Sequence, residues 1–186
     1  MSYVTLESGI LHVEAEIGWN NTIPFLATLR EMDTCSAFNE ITVHVSSLGG
    51  SGLAATAIAQ ALQTCKKSIR TIGTGYVASS AVTILAAGTS GRRFIVEGSL
   101  LMLHEATLPD DTNRTRGMPI SRLSGYAKEM EIRVDQNYEE LARLSNKPEA
   151  FWREHLEKRF DWFIRPAEAI ELGLVDGIIK RSSASP

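Results

Sequence analysis

Short strand-like segments alternate along this chain with segments whose composition suits helices. Residues 41–46 are β-branched and alternate in polarity, and the glycine-rich turn 47–52 separates them from a helix of small residues. Residues 69–74 form a second β-rich run, which ends before Gly75 and is followed by a short apolar helix over 80–87. Strands and helices that alternate through short turns favour a parallel sheet. We therefore expect an α/β fold with a largely parallel core sheet.

The remaining elements fit the same order. Further strands are predicted where residues alternate in polarity or are β-branched, at 9–17, 93–96, 100–104 and 174–179. Further helices are predicted over 20–32, 120–144 and 166–172, and another begins at Pro148. We expect one domain over 1–180, an exposed polar loop over 106–119 and a disordered tail over 181–186.

Apolar stripes predict how these helices pack. The helix over 20–32 has its stripe at Ile23, Leu26, Leu29 and Met32, and the next helix at Leu53, Ala57, Ala61 and Cys65. The longest stripe belongs to the helix over 120–144 and consists of Leu123, Ala127, Met130, Val134, Tyr138 and Leu141. Long exposed apolar stripes mark partner surfaces, so this helix is expected to mediate self-assembly. A helix that is simply solvated is the alternative.

Composition excludes several classes of function. The formal net charge is −3 and no basic block occurs, so we expect neither a nucleic-acid partner nor a membrane partner. The N-terminus lacks the basic-then-apolar layout of a signal peptide. Cys35 and Cys65 have no metal-ligand spacing and fit reduced thiols of a cytoplasmic protein, without a metal site or a cofactor.

Ser79 is the first candidate for catalysis. It lies at a strand-to-helix turn between Gly75 and Gly88, close to the start of the helix. Free backbone N–H groups at such a position can stabilise a negative charge that forms on the substrate. The alternative is that small residues here only allow close helix packing, with Ser79 and Ser80 as N-cap residues.

A serine nucleophile needs a base and a carboxylate that orients the base. Among the four histidines, His104 ends an apolar strand and starts a loop, where parallel sheets deliver functional side chains. We expect His12 and His44 to face solvent or a satisfied core, and His155 to lie on the surface. Asp161 is the candidate carboxylate, although it could instead cap the following turn. Spacing alone does not bring residues 79, 104 and 161 together.

Four sequence blocks resemble the proteolytic subunit of the Clp ATP-dependent proteases, serine peptidases of the Clp/crotonase superfamily. They follow the family's order over about residues 40–180, and one resembles its Ser-Pro-Gly-Gly-Ser turn. The blocks are 47–51, 75–79 with Gly88, 102–104, and 161–164 with 167–176. The resemblance implies a spiral of β-β-α units with a long protruding handle helix. It also implies that Ser79, His104 and Asp161 form the catalytic triad.

The same resemblance implies the roles of the neighbouring residues. The oxyanion hole is assigned to Ser80 and the Gly49–Gly50 turn, and substrate binding to Leu48 and Ser51. The implied substrate is a peptide or an unfolded protein, and no cofactor is needed. The implied partners are further copies of the chain in a homo-oligomeric ring and an AAA+ unfoldase.

The chain also departs from the family pattern. Leu48 stands where the family has proline, Ala106 lies in a segment that usually carries proline, and Phe160 replaces a frequent arginine. The glycine-rich handle strand is not recognisable in 106–119, which predicts weaker contacts between rings. Two alternatives stay open: a crotonase-like acyl-CoA hydratase, and a non-catalytic structural subunit of a ring.

Overall fold

A computed structural model describes residues 9–105 and 118–182. Within them, seven strands form one sheet. They are β1 (Ile10–Val13), β2 (Glu40–Ser47), β3 (Ser68–Ala78), β4 (Arg93–Val96), β5 (Leu100–Leu103), β6 (Trp162–Ile164) and β7 (Gly177–Ile179). Strands β1, β2, β3, β4 and β7 lie side by side in that order and run parallel. The predicted α/β fold with a largely parallel sheet is confirmed.

Strand β3 pairs with two different strands along one side. Its residues 71–73 pair with β4, whereas residues 76–78 pair with β5. Strand β6 then adds to β5 in the antiparallel direction. The prediction that β3 ends at Thr74 is wrong, because β5 supplies hydrogen-bond partners that carry the strand on to Ala78. Strand β6 has only three residues and was not predicted as a strand.

The described residues also form six helices. They are α1 (Trp19–Thr34), α2 (Gly52–Thr64), α3 (Ser80–Ala86), α4 (Ile120–Leu144), α5 (Glu149–Glu157) and α6 (Pro166–Glu171). The bounds of α4 and of β4 match their predictions. In the described part of the chain, no helix is both long and apolar enough to cross a membrane.

The core-facing sides of α1 and α2 differ from the predicted stripes. Helix α1 buries Thr22 and Phe25 beside Leu29 and Met32, while Ile23 is exposed. Helix α2 buries a set that excludes the predicted Leu53, namely Ala54, Ala55, Ile58, Ala59 and Leu62. Both helices have apolar residues on more than one side, and one residue turns a helix by about 100°. Contact with the sheet therefore decides which side is buried.

Helix α4 is buried over only part of its length. Met130, Tyr138 and Leu141 are buried, whereas Leu123 and Ala127 of the same stripe are exposed. Ile120, one turn before Leu123, is 87% exposed. The first turns of α4 therefore extend the apolar stripe beyond the core. Of the predicted loop and tail, residues 106–117 and 183–186 lie outside the described residues.

Candidate active site

Three strand ends meet at one edge of the sheet. Ser79 directly follows β3, and its backbone N–H donates to the Met102 carbonyl of β5 over 2.7 Å. His104 directly follows β5, and Asp161 directly precedes β6. In the antiparallel β5–β6 pair, Leu103 lies opposite Trp162, so the next pair along this register is His104 and Asp161. The sheet thus brings together three candidate residues that are far apart in sequence.

The backbone of Ser79 is strained. Its φ is 55° and its ψ is −129°, and among the described residues Ser79 is the only non-glycine with positive φ. Such a conformation costs about 1–3 kcal/mol and persists only where surrounding structure enforces it, frequently at functional sites. The Ser79 side chain makes no capping hydrogen bond to α3, although it occupies the N-cap position. The capping alternative therefore does not explain this serine.

A glycine turn packs directly against Ser79. Gly49 has φ 95°, and a Cβ at this position would lie 2.7 Å from the Ser79 Cβ and 2.8 Å from the Ala78 carbonyl oxygen. Real Cβ atoms do not approach other atoms so closely. Only glycine allows the 49–50 turn to approach the strained serine in this way.

The hydrogen bonds of this turn show which of its two glycine N–H groups is available to a ligand. Gly49 N–H donates to the Ser47 hydroxyl over 3.1 Å. Ile17 donates to the Gly49 carbonyl and accepts from the Ser51 N–H, both over 2.8 Å. In a parallel pairing of this kind, the N–H of the central residue points to the opposite side. The Gly50 N–H therefore faces away from Ile17 and is the better placed of the two for an external acceptor.

His104 is half-buried, and its Nδ1 lies 2.6 Å from the Glu105 carbonyl oxygen. If Nδ1 carries the proton and donates it to this carbonyl, Nε2 is left unprotonated and can act as a base. Within the described residues, no hydrogen bond joins the side chains of Ser79, His104 and Asp161. Asp161 is exposed. The Glu105 carbonyl occupies the place that a triad carboxylate would take at Nδ1.

An aromatic stack supports β6 beside Asp161. The His155 ring stacks on Phe151 with a centroid distance of 3.9 Å and on Trp162 with a distance of 5.4 Å. Trp162 Nε1 donates to the Glu168 carboxylate over 3.1 Å. The prediction that His155 lies on the surface is wrong, because packing between the two rings half-buries it. His12 and His44 also stack on each other, at 5.3 Å on the half-buried side of β1 and β2.

Ser79 and His104 line one open cleft of ≈ 680 Å³, which we call the Ser79 cleft. Its wall also contains Leu48, which is 73% exposed, and both glycines of the turn. The other lining residues are Glu14, Ala15, Glu16, Ser46, Ser47 and Tyr76. Of these, the two glutamates and the tyrosine were not singled out from the sequence, where the glutamates appeared only as alternating positions of the predicted strand 9–17.

The hydroxyl groups of two predicted site residues, Ser51 and Ser80, make structural hydrogen bonds. The Ser51 hydroxyl accepts the Ala54 N–H over 3.4 Å and caps α2. The Ser80 hydroxyl donates to the Gly50 carbonyl over 3.3 Å and thereby ties α3 to the glycine turn.

Burial and the nearby Asp161 charge raise the pKa of Tyr76, so its phenol stays neutral in the cleft. Among the described residues, no three His, Cys, Asp or Glu side chains lie close enough to share a metal ion.

Comparison with known proteins identifies the family. The family model described as Clp protease matches residues 2–182. The chain belongs to the Clp protease family. Its mixed α/β architecture with a mostly parallel sheet is consistent with the fold of Clp proteases, and membership supports a role in peptide-bond hydrolysis.

Individual relatives are similar at modest identity. The chain is 30% identical to ATP-dependent Clp protease proteolytic subunit 2 of Streptomyces coelicolor, over 93% of this chain and 76% of the relative. It is 31% identical to the proteolytic subunit of Porphyromonas gingivalis, over 84% of this chain and 67% of the relative. It is 29% identical to chloroplastic subunit 3 of Arabidopsis thaliana, over 83% of this chain but only 47% of the relative. The chain is thus a divergent member of the Clp protease family, and it spans about half the length of the plant relative.

Proposed function

We propose that this chain is a serine endopeptidase that uses Ser79 as nucleophile, His104 as general base and Asp161 as the orienting carboxylate. The observation that carries the proposal is the meeting of three strand ends at one sheet edge. There, a serine in a strained backbone conformation shares a cleft with a histidine. Neither side chain has a structural task in the described contacts that would explain this placement.

The proposed chemical steps are those of a Ser-His-Asp hydrolase. His104 Nε2 accepts the proton of the Ser79 hydroxyl as the oxygen attacks the peptide carbonyl. The protonated imidazole then gives this proton to the leaving amine, and water hydrolyses the acyl-enzyme by the reverse sequence. For Asp161 to orient the imidazole, His104 Nδ1 has to exchange the Glu105 carbonyl for the carboxylate that lies opposite in the strand register.

The oxyanion of the tetrahedral intermediate needs two N–H donors. Among Gly49, Gly50 and Ser80, we favour Gly50 and Ser80, because the Gly49 N–H already donates to Ser47. Ser80 is the first residue of α3, so its N–H has no acceptor within the helix. One such donor typically lowers the barrier by about 3 kcal/mol.

The substrate is proposed to be a peptide or an unfolded protein that lies extended along the glycine turn. Leu48 offers an exposed apolar contact within the Ser79 cleft. Ser51, at the end of the turn, remains a proposed substrate-binding residue. Its hydroxyl already caps α2, so it would contribute through its position in the turn and not through its side chain. Main-chain pairing of an extended peptide would supply affinity that depends little on sequence.

We further propose that the chain works in a homo-oligomeric ring with an AAA+ unfoldase as ATP-driven partner. The relatives are named as proteolytic subunits of ATP-dependent proteases, which supports such a partner. Exposed apolar side chains support self-assembly, among them Ile120 and Leu123 on α4 and Phe160 and Phe163 around β6. Isolated surface residues of this size are common, but a stripe that continues a buried face is typical of an interface.

Peptide hydrolysis tests this function. Purified protein should cleave an unstructured fluorogenic peptide, and Ser79→Ala should abolish the cleavage. Ser90→Ala, an exposed serine outside the cleft, is the matched control. Binding of coenzyme A with no peptide hydrolysis would favour the acyl-CoA hydratase alternative. A folded, ring-forming protein with neither activity would favour the non-catalytic subunit.

A further inference from the structure

Glu14 and Glu16 place carboxylates in the wall of the Ser79 cleft. Both residues are exposed, and they flank a bend at Ala15 that follows β1. The other ionisable residues that line the cleft are Tyr76 and His104. No lysine or arginine lines it in the described part of the chain. At neutral pH the part of the wall formed by the described residues is therefore acidic.

The segment that carries both glutamates is fixed to the glycine turn. The Ser47 hydroxyl donates to the Ala15 carbonyl over 2.6 Å, between the two glutamates. Ile17, directly after Glu16, pairs with the main chain of the 49–50 turn through two further hydrogen bonds. The positions of the glutamate backbones relative to Ser79 are thus set by main-chain contacts. The carboxylates therefore stay within one side-chain length of a fixed backbone beside the cleft.

The two carboxylates differ in what they already contact. Glu14 Oε1 lies 3.0 Å from His12 Nδ1, so a protonated His12 would partly neutralise it. Glu16 makes no ion pair with any residue of the described ranges. Glu16 is therefore the carboxylate that is available to a cationic group of a ligand.

We propose that Glu16, assisted by Glu14, makes the Ser79 cleft select peptides that carry lysine or arginine beside the bond to be cut. This inference rests on the proposed peptidase function and names its substrate class. A cleft with charges of one sign raises the local concentration of oppositely charged ligands and repels acidic ones. Leu48, exposed in the same wall, can contact the aliphatic stem of a lysine or arginine while the charged end reaches the carboxylates.

A matched peptide series measures this selectivity. Internally quenched alanine-based peptides carry one lysine, glutamine or glutamate at each position close to the scissile bond. We expect kcat/KM to fall from lysine to glutamine to glutamate, with a lysine-to-glutamate ratio of about 5 to 20, because each exposed ion pair contributes a factor of up to about five. The ratio should shrink between about 0.05 M and 0.5 M salt, because screening shortens the range of the charges.

Variants assign the effect to Glu16. In Glu16→Gln the lysine-to-glutamate ratio should approach one, and in Glu16→Lys the order should reverse. Glu31→Gln is the matched control, since it removes an exposed carboxylate on α1 outside the cleft and should keep the wild-type ratio. Equal rates for the three peptides in the wild type would overturn the proposal. So would a ratio that Glu16→Gln leaves unchanged or that Glu31→Gln lowers to the same extent.

A binding assay separates this proposal from the peptidase function itself. Fluorescent forms of the same peptides are titrated with the Ser79→Ala protein and followed by anisotropy. Tighter binding of the lysine peptide, lost in Ser79→Ala combined with Glu16→Gln, supports the inference even if the wild type cleaves nothing. Absence of cleavage would then count only against the proposed function. Equal binding of the lysine and glutamate peptides would overturn the selectivity.

Discussion

The turn around Ser79 and the first turns of α4 are built in opposite ways. Around Ser79, two main-chain hydrogen bonds to Ile17 and one from the Ser80 hydroxyl hold the glycine turn, and at Gly49 there is no room for one additional carbon atom. In the first turns of α4, Ile120 and Leu123 continue an apolar stripe that residues 9–105 and 118–182 leave exposed. Contacts within the chain thus hold the turn around Ser79 in place, whereas the first turns of α4 expose their apolar side chains.

This difference suggests a division of tasks. The described contacts around the Ser79 cleft join segments of the same chain, so we expect the cleft to form as the chain folds. The exposed half of α4 gains hydrophobic stabilisation only when another surface covers it. Changes at the cleft should therefore alter chemistry with little effect on assembly, and changes at the start of α4 should do the reverse.

The largest expected effect is on the cleft side, at His104 and Asp161. By analogy with other Ser-His-Asp enzymes, His104→Ala should lower kcat by about 10⁶-fold and Asp161→Ala by about 10⁴-fold. Native mass and melting temperature should stay close to the wild-type values. Peptidase activity should also fall as the pH is lowered, since a protonated imidazole cannot accept the serine proton.

The position of Asp161 makes its variant informative. If Asp161→Ala loses less than about tenfold in kcat, well short of the loss expected for a triad carboxylate, the Glu105 carbonyl orients His104 and the proposed triad is a dyad. A pH profile that stays flat between pH 5 and 9 would contradict the general-base role of His104.

The next effect concerns the lack of space at Gly49. Gly49→Ala introduces a Cβ that clashes with the Ser79 Cβ at 2.7 Å, so the turn has to move away from the serine. We expect a loss of about 10² to 10³ in kcat, the range found when an oxyanion donor is removed. Gly52→Ala is the control, because a Cβ there meets no atom within 4 Å. Equal activity of the two variants would show that the close approach of the turn is not needed for catalysis.

A smaller effect on activity, but a clear effect on assembly, is expected at the start of α4. Ile120→Glu and Leu123→Glu place a charge in the uncovered part of the stripe and should shift native mass spectra toward smaller species. Ser121→Glu, which lies off the stripe, is the matched control. Val134 and Leu141 are unsuitable for this test, because Leu141 is 1% exposed and Val134 packs against the core of its own chain. A monomeric wild type with full peptidase activity would contradict the role of α4 in assembly.

The smallest effect concerns the pH dependence of stability. Burial and the neighbouring His12 lower the pKa of His44. The unfolded chain therefore takes up a proton at this residue at higher pH than the folded chain does. Stability should be lost as the pH falls below about 6.5, the ordinary histidine pKa, toward the lowered pKa of the folded state. His44→Gln should reduce the difference in melting temperature between pH 8 and pH 5, and Lys128→Gln on the exposed half of α4 should not.

Local patterns predicted much of the fold. The bounds of α4 and β4 followed from periodicity within single segments, and the order of elements was enough to predict a parallel sheet. The buried sides of α1 and α2 did not follow, since several of their sides are apolar and the sheet makes the choice. Strand β6 was missed because three aromatic-rich residues carry no periodicity and become a strand only by pairing with β5.

The prediction of the candidate site depended on the family resemblance, because local patterns do not show which distant strands pair. The meeting of residues 79, 104 and 161 is a consequence of register between distant strands, and no spacing in the sequence encodes that register. The strain at Ser79 and the direction of the Gly50 N–H are likewise properties of the folded backbone. In the sequence, Glu14 and Glu16 are ordinary positions of a predicted strand, and only the folded structure shows that they line the same cleft as Ser79.

Covalent labelling of Ser79 is the most direct test of the central claim. A fluorophosphonate probe reacts with a serine that a neighbouring base activates, so it reports on the nucleophile independently of any substrate. Peptide mass spectrometry should place a single adduct on Ser79 in the wild type and find none in Ser79→Ala. Labelling that persists in Ser79→Ala and disappears in Ser80→Ala, or a folded wild type that is not labelled at any serine, would contradict the account.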